Sequence, residues 1–554
     1  MLSALLLWPI TRAGDLLGHD MVFTPRQPLD LASVGVSSAS PRAVPLDALV
    51  ALAERVVDGA LVARLALILP LLAVGVGCAV LVGTRVLAAR LAACSVAVWN
   101  PFVVERLALG QWALLWAYAA LPWLILAMAR RRGRGGWLAT AAALAAASIT
   151  PTGGLIAAAT AVSVAVGLRR GRRELALTAG LALVLQLPWV LPALVSTASA
   201  TSDPAGVAAF SARPEHPGGA LLSLLGGGGI WDADVVPSSR GGALAWLGLI
   251  AVVAAAAYGL RRLVGLLGAR LVASVTVLSA AGLLLAILPS VPGGDAVVRA
   301  AVTHVPGAGL LRDAQKWILP LVVFEALLAG AAVERLADRV RTVPWRSLLV
   351  VAVLALPVIL LPDAPATLRP TLDPVQYPRD WGAVERRLDG GAATVLPFGS
   401  YRSFPWAPGR SVLDPAPRLV HVGIVVDDRL AVSGRLLQGE DPRARAVARA
   451  LATGTDLRQR LARIGITWVI VERDTPGTVP DLSGLDAVYE GRSVSLYRVP
   501  GPISRHPDSG RDVVTVLLGD LLAVLALLVV TVRAASDWKP KGDQRPDTAV
   551  GPAV

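Results

Sequence analysis

Three short stretches of this chain bring together side chains able to do chemistry. The first reads Gly14-Asp15-Leu16-Leu17-Gly18-His19-Asp20-Met21-Val22-Phe23-Thr24-Pro25-Arg26-Gln27-Pro28. A carboxylate just past an apolar run, flanked by glycines and fixed by prolines, is placed to meet a substrate whose lipid tail stays in a bilayer. Asp20 is the leading candidate for a general base, Asp15 is second, and His19 suits an assisting proton transfer. The same residues also serve as helix caps and loop solvation, so the pattern leaves both readings open. The second stretch runs from Asn100 to Trp112 and carries Glu105 and Arg106, followed by Leu121-Pro122-Trp123. Glu105 and Arg106 at the mouth of adjacent spans fit a structural ion pair or a substrate contact equally well. Trp99 and Trp112 fit an interfacial aromatic belt. The third is Gly309-Leu310-Leu311-Arg312-Asp313-Ala314-Gln315-Lys316-Trp317. Arg312 and Lys316 stand at i and i+4, so a helix would project both from one face. Such a pair can clamp a phosphate, Arg as a fork of donors and Lys as a point charge, or anchor at lipid headgroups.

Other ionisable residues fall inside apolar runs. Glu325 and Asp520 are costly at such depth and belong in a helix bundle's interior, as neutral bridging groups or as coupling residues. Asp232-Ala233-Asp234 follows the glycine run Gly226–Gly229 and has the form of an Asp-x-Asp pair, a three-residue match of low specificity. Cys78 and Cys94 lie in apolar runs and behave as small hydrophobes, and no metal site is read from them. The sequence contains no Walker A loop, dinucleotide fingerprint, His-Glu-x-x-His or Gly-x-Ser-x-Gly motif. ATP-driven transport and serine or zinc hydrolysis lose support accordingly.

The elements that must position these groups are membrane helices. Of 554 residues, 55% are hydrophobic and only 16% charged, with a mean hydropathy of +0.62. Crossing about 30 Å of hydrocarbon takes roughly 20 apolar residues, and such runs recur between short arginine clusters. Candidate spans are 1–13, 60–83, 86–103, 112–129, 136–150, 153–168, 175–197, 243–260, 271–289, 317–334, 347–362 and 513–533, about twelve in all. The net charge of +13 sits mainly at helix ends, in clusters such as Arg130–Arg134, Arg169–Arg173 and Arg261-Arg262, which argues against a nucleic-acid partner. Under the positive-inside rule these clusters put both termini in the cytoplasm and the segments 14–59, 198–242 and 290–316 outside. The chain divides into a transmembrane core 1–362, an extracytoplasmic α/β domain 363–512, a last span 513–533 and a cytoplasmic, disordered tail 534–554. Within the domain, Thr394–Phe398, Thr467–Val471 and Ser493–Arg498 read as strands, and Pro442–Leu451 and Leu457–Ile464 as helices. Asp441 is the expected N-cap of the first of these helices.

With an N-in first span, an acidic first outer loop, many further spans and a soluble domain near the C-terminus, the chain resembles the GT-C class of integral-membrane glycosyltransferases. The stretches Asn100–Trp123 and Leu311–Trp317 are similar to parts of the actinobacterial arabinofuranosyltransferase D-type proteins, which are much longer. This resemblance implies a polyprenyl-phosphate sugar donor and inverting transfer to a cell-envelope glycan or glycolipid outside the inner (plasma) membrane. A first-loop carboxylate would take the acceptor's proton. The leaving phosphate would be met by Arg312 and Lys316 or by a bound divalent ion. Two rival functions stay open: a lipid or glycan transporter, and a non-catalytic envelope-assembly protein.

Overall fold

The computed structural model describes residues 1–536 except 38, 131–134, 197, 199, 200, 341, 433, 454, 455 and 505–509. Most of the expected basic loop after Arg130, and the tail beyond residue 536, lie outside the described residues. Among those described, eight helices are long and apolar enough to cross a membrane, or nine if one bent pair forms a single span. The bent pair is Arg172–Val184 with Leu187–Val195, angled by 52° at a short break that Pro188 follows. The expected spans 136–150 and 153–168 are helices of 13 and 17 residues, Gly135–Ala147 and Pro151–Gly167. The stretch 1–13 departs from the expected continuous helix. It is a five-residue helix, Leu2–Leu6, and a 3-10 turn, Trp8–Thr11, where Pro9 has no N–H to continue the helical ladder.

Helix Leu319–Ala337 is the central post of the membrane core, packed against Leu87–Val98 and Ala243–Leu267. The span that begins at Leu87 is broken at Trp99-Asn100. Asn100 Oδ1 accepts the Val103 N–H at 2.9 Å while its Nδ2 donates to Val96 and Ala97 carbonyls. Pro101 opens the short helix Pro101–Ala108 at its first turn. One asparagine thus ends one helix and starts the next, and the second carries Glu105 and Arg106.

In the first loop, strands β1 (Leu17–Gly18) and β2 (Met21–Val22) form a hairpin whose tip is His19-Asp20. The α/β domain holds β3 (Ala392–Leu396), β4 (Tyr401–Arg402), β5 (Val412–Leu413), β6 (Gly423–Val425), β7 (Leu430–Val432), β8 (Arg435–Leu437), β9 (Trp468–Glu472), β10 (Asp486–Glu490) and β11 (Val494–Arg498). Its main sheet runs β10-β11-β9-β3-β6, with β3 parallel to both neighbours. The three expected strands appear as β3, β9 and β11. The two expected helices are Pro442–Ala452, with Asp441 accepting the Arg443 N–H at 2.8 Å, and Leu457–Ile464. The β1–β2 hairpin is joined to this domain: Leu17 and Val22 share an apolar cluster with Val375, Phe404, Ala407 and Val412.

Candidate active site

Asp20 sits at the hairpin tip, after His19, whose φ of 48° makes the turn. Its backbone N–H donates to the Leu109 carbonyl at 3.1 Å, strapping the tip to the junction after helix Pro101–Ala108. Gly110 allows that approach. It has φ 81°, and a Cβ there would collide with backbone atoms of Gly18, Asp20 and Met21. The half-buried Asp20 carboxylate is held from two sides. Oδ1 accepts the Tyr401 hydroxyl from β4 of the α/β domain, and Oδ2 accepts Gln111 Nε2 at 3.0 Å. The Asp20 charge and burial of the hydroxyl push the Tyr401 phenol well above its usual range, burial being the larger cause.

From Gln111 the contacts run inward. Gln111 Oε1 accepts from Arg106 Nη1, and Arg106 forks onto Asp313 at 2.8 and 2.9 Å. Lys316 Nζ reaches the same Asp313 at 3.2 Å. Burial alone would raise the Asp313 carboxyl, but Arg106 and Lys316 together hold it well below the usual carboxylate range. Arg106 is fully buried while Lys316 keeps part of its surface exposed. Two cations against one carboxylate leave this end of the network net positive. Glu105 is also fully buried and takes Gln315 Nε2 at 2.5 Å, close to the buried Arg240–Glu215 pair.

Searches by sequence alone find nothing similar: no family model matches, and no curated protein does. Solved structures do match. Arabinofuranosyltransferase AftD from mycobacteria superposes with a TM-score of 0.53 at 17% identity, over 92% of this chain and 40% of its own. A mutant form of the same enzyme gives 0.55 at 17% identity, over 92% and 41%. This chain shares the fold of that part of AftD. It spans about two fifths of the length of those structures. The resemblance to D-type proteins read from Asn100–Trp123 and Leu311–Trp317 therefore holds as a likeness of fold, and it extends past residue 340 into the α/β domain.

The AftD-like fold draws three of the sequence candidates into one network, Asp20 joined to Arg106 through Gln111 and Arg106 to Lys316 through Asp313, while Glu105 bonds Gln315 beside it. Arg312 and Lys316 do not share a helical face. Arg312 follows the 3-10 turn Ala308–Leu311, Lys316 lies within a second 3-10 turn, Gln315–Ile318, and the backbone between is irregular. Arg312 instead approaches Glu440 of the α/β domain at 3.7 Å, beside Arg42 and Ser202, which also hold Glu440. Asp15 leaves the Asp20 group. Its backbone bridges to Val375 in both directions, and its carboxyl lies in the field of Asp58 and Arg64. His19 is fixed by backbone bonds to Ser411 and Leu413. Among the described residues no group of three or more His, Cys, Asp or Glu could hold a metal ion.

Gln111, Asp313 and Tyr401 escaped the sequence reading. Asp313 stood in view between Arg312 and Lys316, three residues before the lysine it pairs with. Tyr401 lies 381 residues from Asp20, and no local pattern points to it. Asp232 is raised by burial, then by Asp234 and Asp20, which sets the Asp-x-Asp match near the hairpin tip.

Proposed function

We propose that this chain is an integral-membrane glycosyltransferase that moves a sugar from a polyprenyl-phosphate donor to a cell-envelope glycan or glycolipid on the extracytoplasmic face. The observation that carries the reading is the unbroken run of contacts Tyr401–Asp20–Gln111–Arg106–Asp313–Lys316. It ties a solvent-reachable carboxylate to a partly exposed cation, the two charges an inverting transfer needs. The AftD fold and the eight apolar helices supply the context.

In this reading the acceptor hydroxyl approaches Asp20, which takes its proton as the oxygen bonds the anomeric carbon. The bond to the donor phosphate breaks with its electron pair going to the phosphate, whose charge Lys316 meets, backed by Arg106. Asp313 keeps both cations aimed. The expected phosphate clamp of Arg312 and Lys316 is thereby revised: Lys316 keeps that role, and Arg312 holds the α/β domain through Glu440.

The test is sugar transfer in membranes carrying Asp20→Asn or Lys316→Ala, with a labelled polyprenyl-phosphate sugar. Asp20→Asn is expected to reduce kcat/KM by about 100-fold or more, and Lys316→Ala to reduce it less. Wild-type rates from both variants would sink the assignment.

A further inference from the structure

A concave site distinct from this contact network lies on the α/β domain beside the hairpin tip. It is a cleft of about 480 Å³ lined by Ser403, Phe404, Pro405, Arg410, Ser411 and Asp474 among others. That volume is within the range of ligand clefts, roughly 300–1,000 Å³, and the cleft is shallow and open to solvent. The lining has a definite chemistry. Two hydroxyls both donate and accept, the Asp474 carboxylate accepts, and Arg410 donates. One cation and one anion balance, so the cleft does not select a charged ligand. A neutral polyol, each of whose hydroxyls donates and accepts, matches it.

The cleft is also built rather than incidental. Arg410 Nη1 donates to the Leu17 and Asp373 carbonyls at 2.8 and 2.9 Å, which fixes the guanidinium, while its Nε is buried without a partner. Phe404 stacks on Trp406 with centroids 4.5 Å apart and planes 23° from parallel. Beneath the rim, Arg402 pairs with Asp414 and Glu472, both at 2.8 Å, and all three are buried. Asp474 holds a left-handed backbone, φ 56°.

Its place in the chain ties it to Asp20. Ser403 is two residues beyond Tyr401, which donates to Asp20. The Ser411 carbonyl accepts the His19 N–H at 3.2 Å, and Leu413 N–H donates to the His19 carbonyl at 2.8 Å. The loop joining β4 to β5 therefore forms the cleft at its tip and grips the proposed base at its root.

We propose that this cleft is an acceptor subsite that holds a non-reacting sugar unit of a neutral oligosaccharide, presenting the glycan's reacting end to Asp20. The proposal rests on the transferase reading for its purpose, but binding is testable without turnover. Full-length protein carrying Asp20→Asn is titrated with an arabinofuranose tetrasaccharide, with maltotetraose as a comparison. Adding Asp474→Gly removes the carboxylate while suiting the left-handed backbone, and Ser403→Ala is a second, exposed-site variant. Each is expected to weaken tetrasaccharide binding about tenfold, on the order of one lost hydrogen bond to a charged or polar group. In Asp20-containing protein each raises KM for the tetrasaccharide by a similar factor, with kcat and the KM of a monosaccharide acceptor unchanged. Tetrasaccharide affinity untouched by both variants, or equal KM changes for short and long acceptors, overturns the subsite. Cleft-dependent binding in a protein that transfers no sugar would uphold the subsite and remove the transferase reading, whereas Asp20-dependent transfer with binding insensitive to the cleft does the reverse.

Discussion

Asp20 is held by two neutral donors, Tyr401 and Gln111, from opposite parts of the chain. That bracket aims the carboxylate without cancelling its charge, as a salt bridge to Arg106 would. Removing Gln111 by Gln111→Ala frees one oxygen and cuts Asp20 from the Arg106–Asp313 pair. Transfer is expected to fall about tenfold or more while the donor's KM changes little, as read from steady-state kinetics. Asp15 behaves differently. Burial first and Asp58 second push it up to about 6 from 3.8, against the pull of Arg64. Between those values the folded chain holds more protons than the unfolded one, so Asp15 makes stability fall as pH rises through that window. Asp15→Asn removes this dependence. It is expected to raise the unfolding temperature at about pH 7.5 and to have little effect near pH 4, a difference on the order of 1 kcal/mol after screening by solvent. An unfolding temperature at or below the parent's at the higher pH would count against this account.

At the scale of elements, the site depends on two local devices that bring the hairpin against the membrane helices. Gly110 leaves room for the hairpin, and a Cβ there meets backbone rather than a movable side chain. Gly110→Ala is therefore expected to displace the tip and reduce transfer by about 100-fold, as a misplacement near 1 Å does, with most of the fold kept. Asn100→Ala removes the cap of helix Pro101–Ala108 and three further hydrogen bonds, to Val96, Ala97 and Tyr118. It is expected to cost about 1–3 kcal/mol, measured by thermal unfolding in detergent, and to loosen Glu105 and Arg106 together. Much of this level was readable from the chain. Asp441-Pro442 announced a helix start, and Asn100-Pro101 carries the same signal. The 3-10 turns around Arg312 were not readable, because i and i+4 spacing is shared by helical and irregular segments alike.

At the scale of the molecule, the α/β domain completes the site instead of hanging beside it. It supplies Tyr401 to Asp20 and Glu440 to Arg312 and Arg42, and it buries Leu17 and Val22 of the hairpin. Such an arrangement requires the domain and the first loop to share one side of the membrane. A single cysteine placed at the exposed Asp481 tests which side. The native Cys78 is buried and Cys94 only half-buried, so background is low. Labelling by a membrane-impermeant maleimide in intact cells is the expected result, and labelling only after permeabilisation would place the domain in the cytoplasm.

Hydropathy, loop charge and turn chemistry act over neighbouring residues, and they determined the membrane class, most span positions, the strands β3, β9 and β11 and the two domain helices. The same local rules singled out Asp20, Arg106 and Lys316 by residue type and by closeness to apolar runs. Only the tertiary structure decided that Asp15 and Arg312 leave that group and that Gln111, Asp313 and Tyr401 join it. The reason is physical: each of those outcomes hangs on a contact between segments far apart in sequence. A carboxylate's partners are set by which helices and loops pack together, and that packing leaves no periodic trace in the chain.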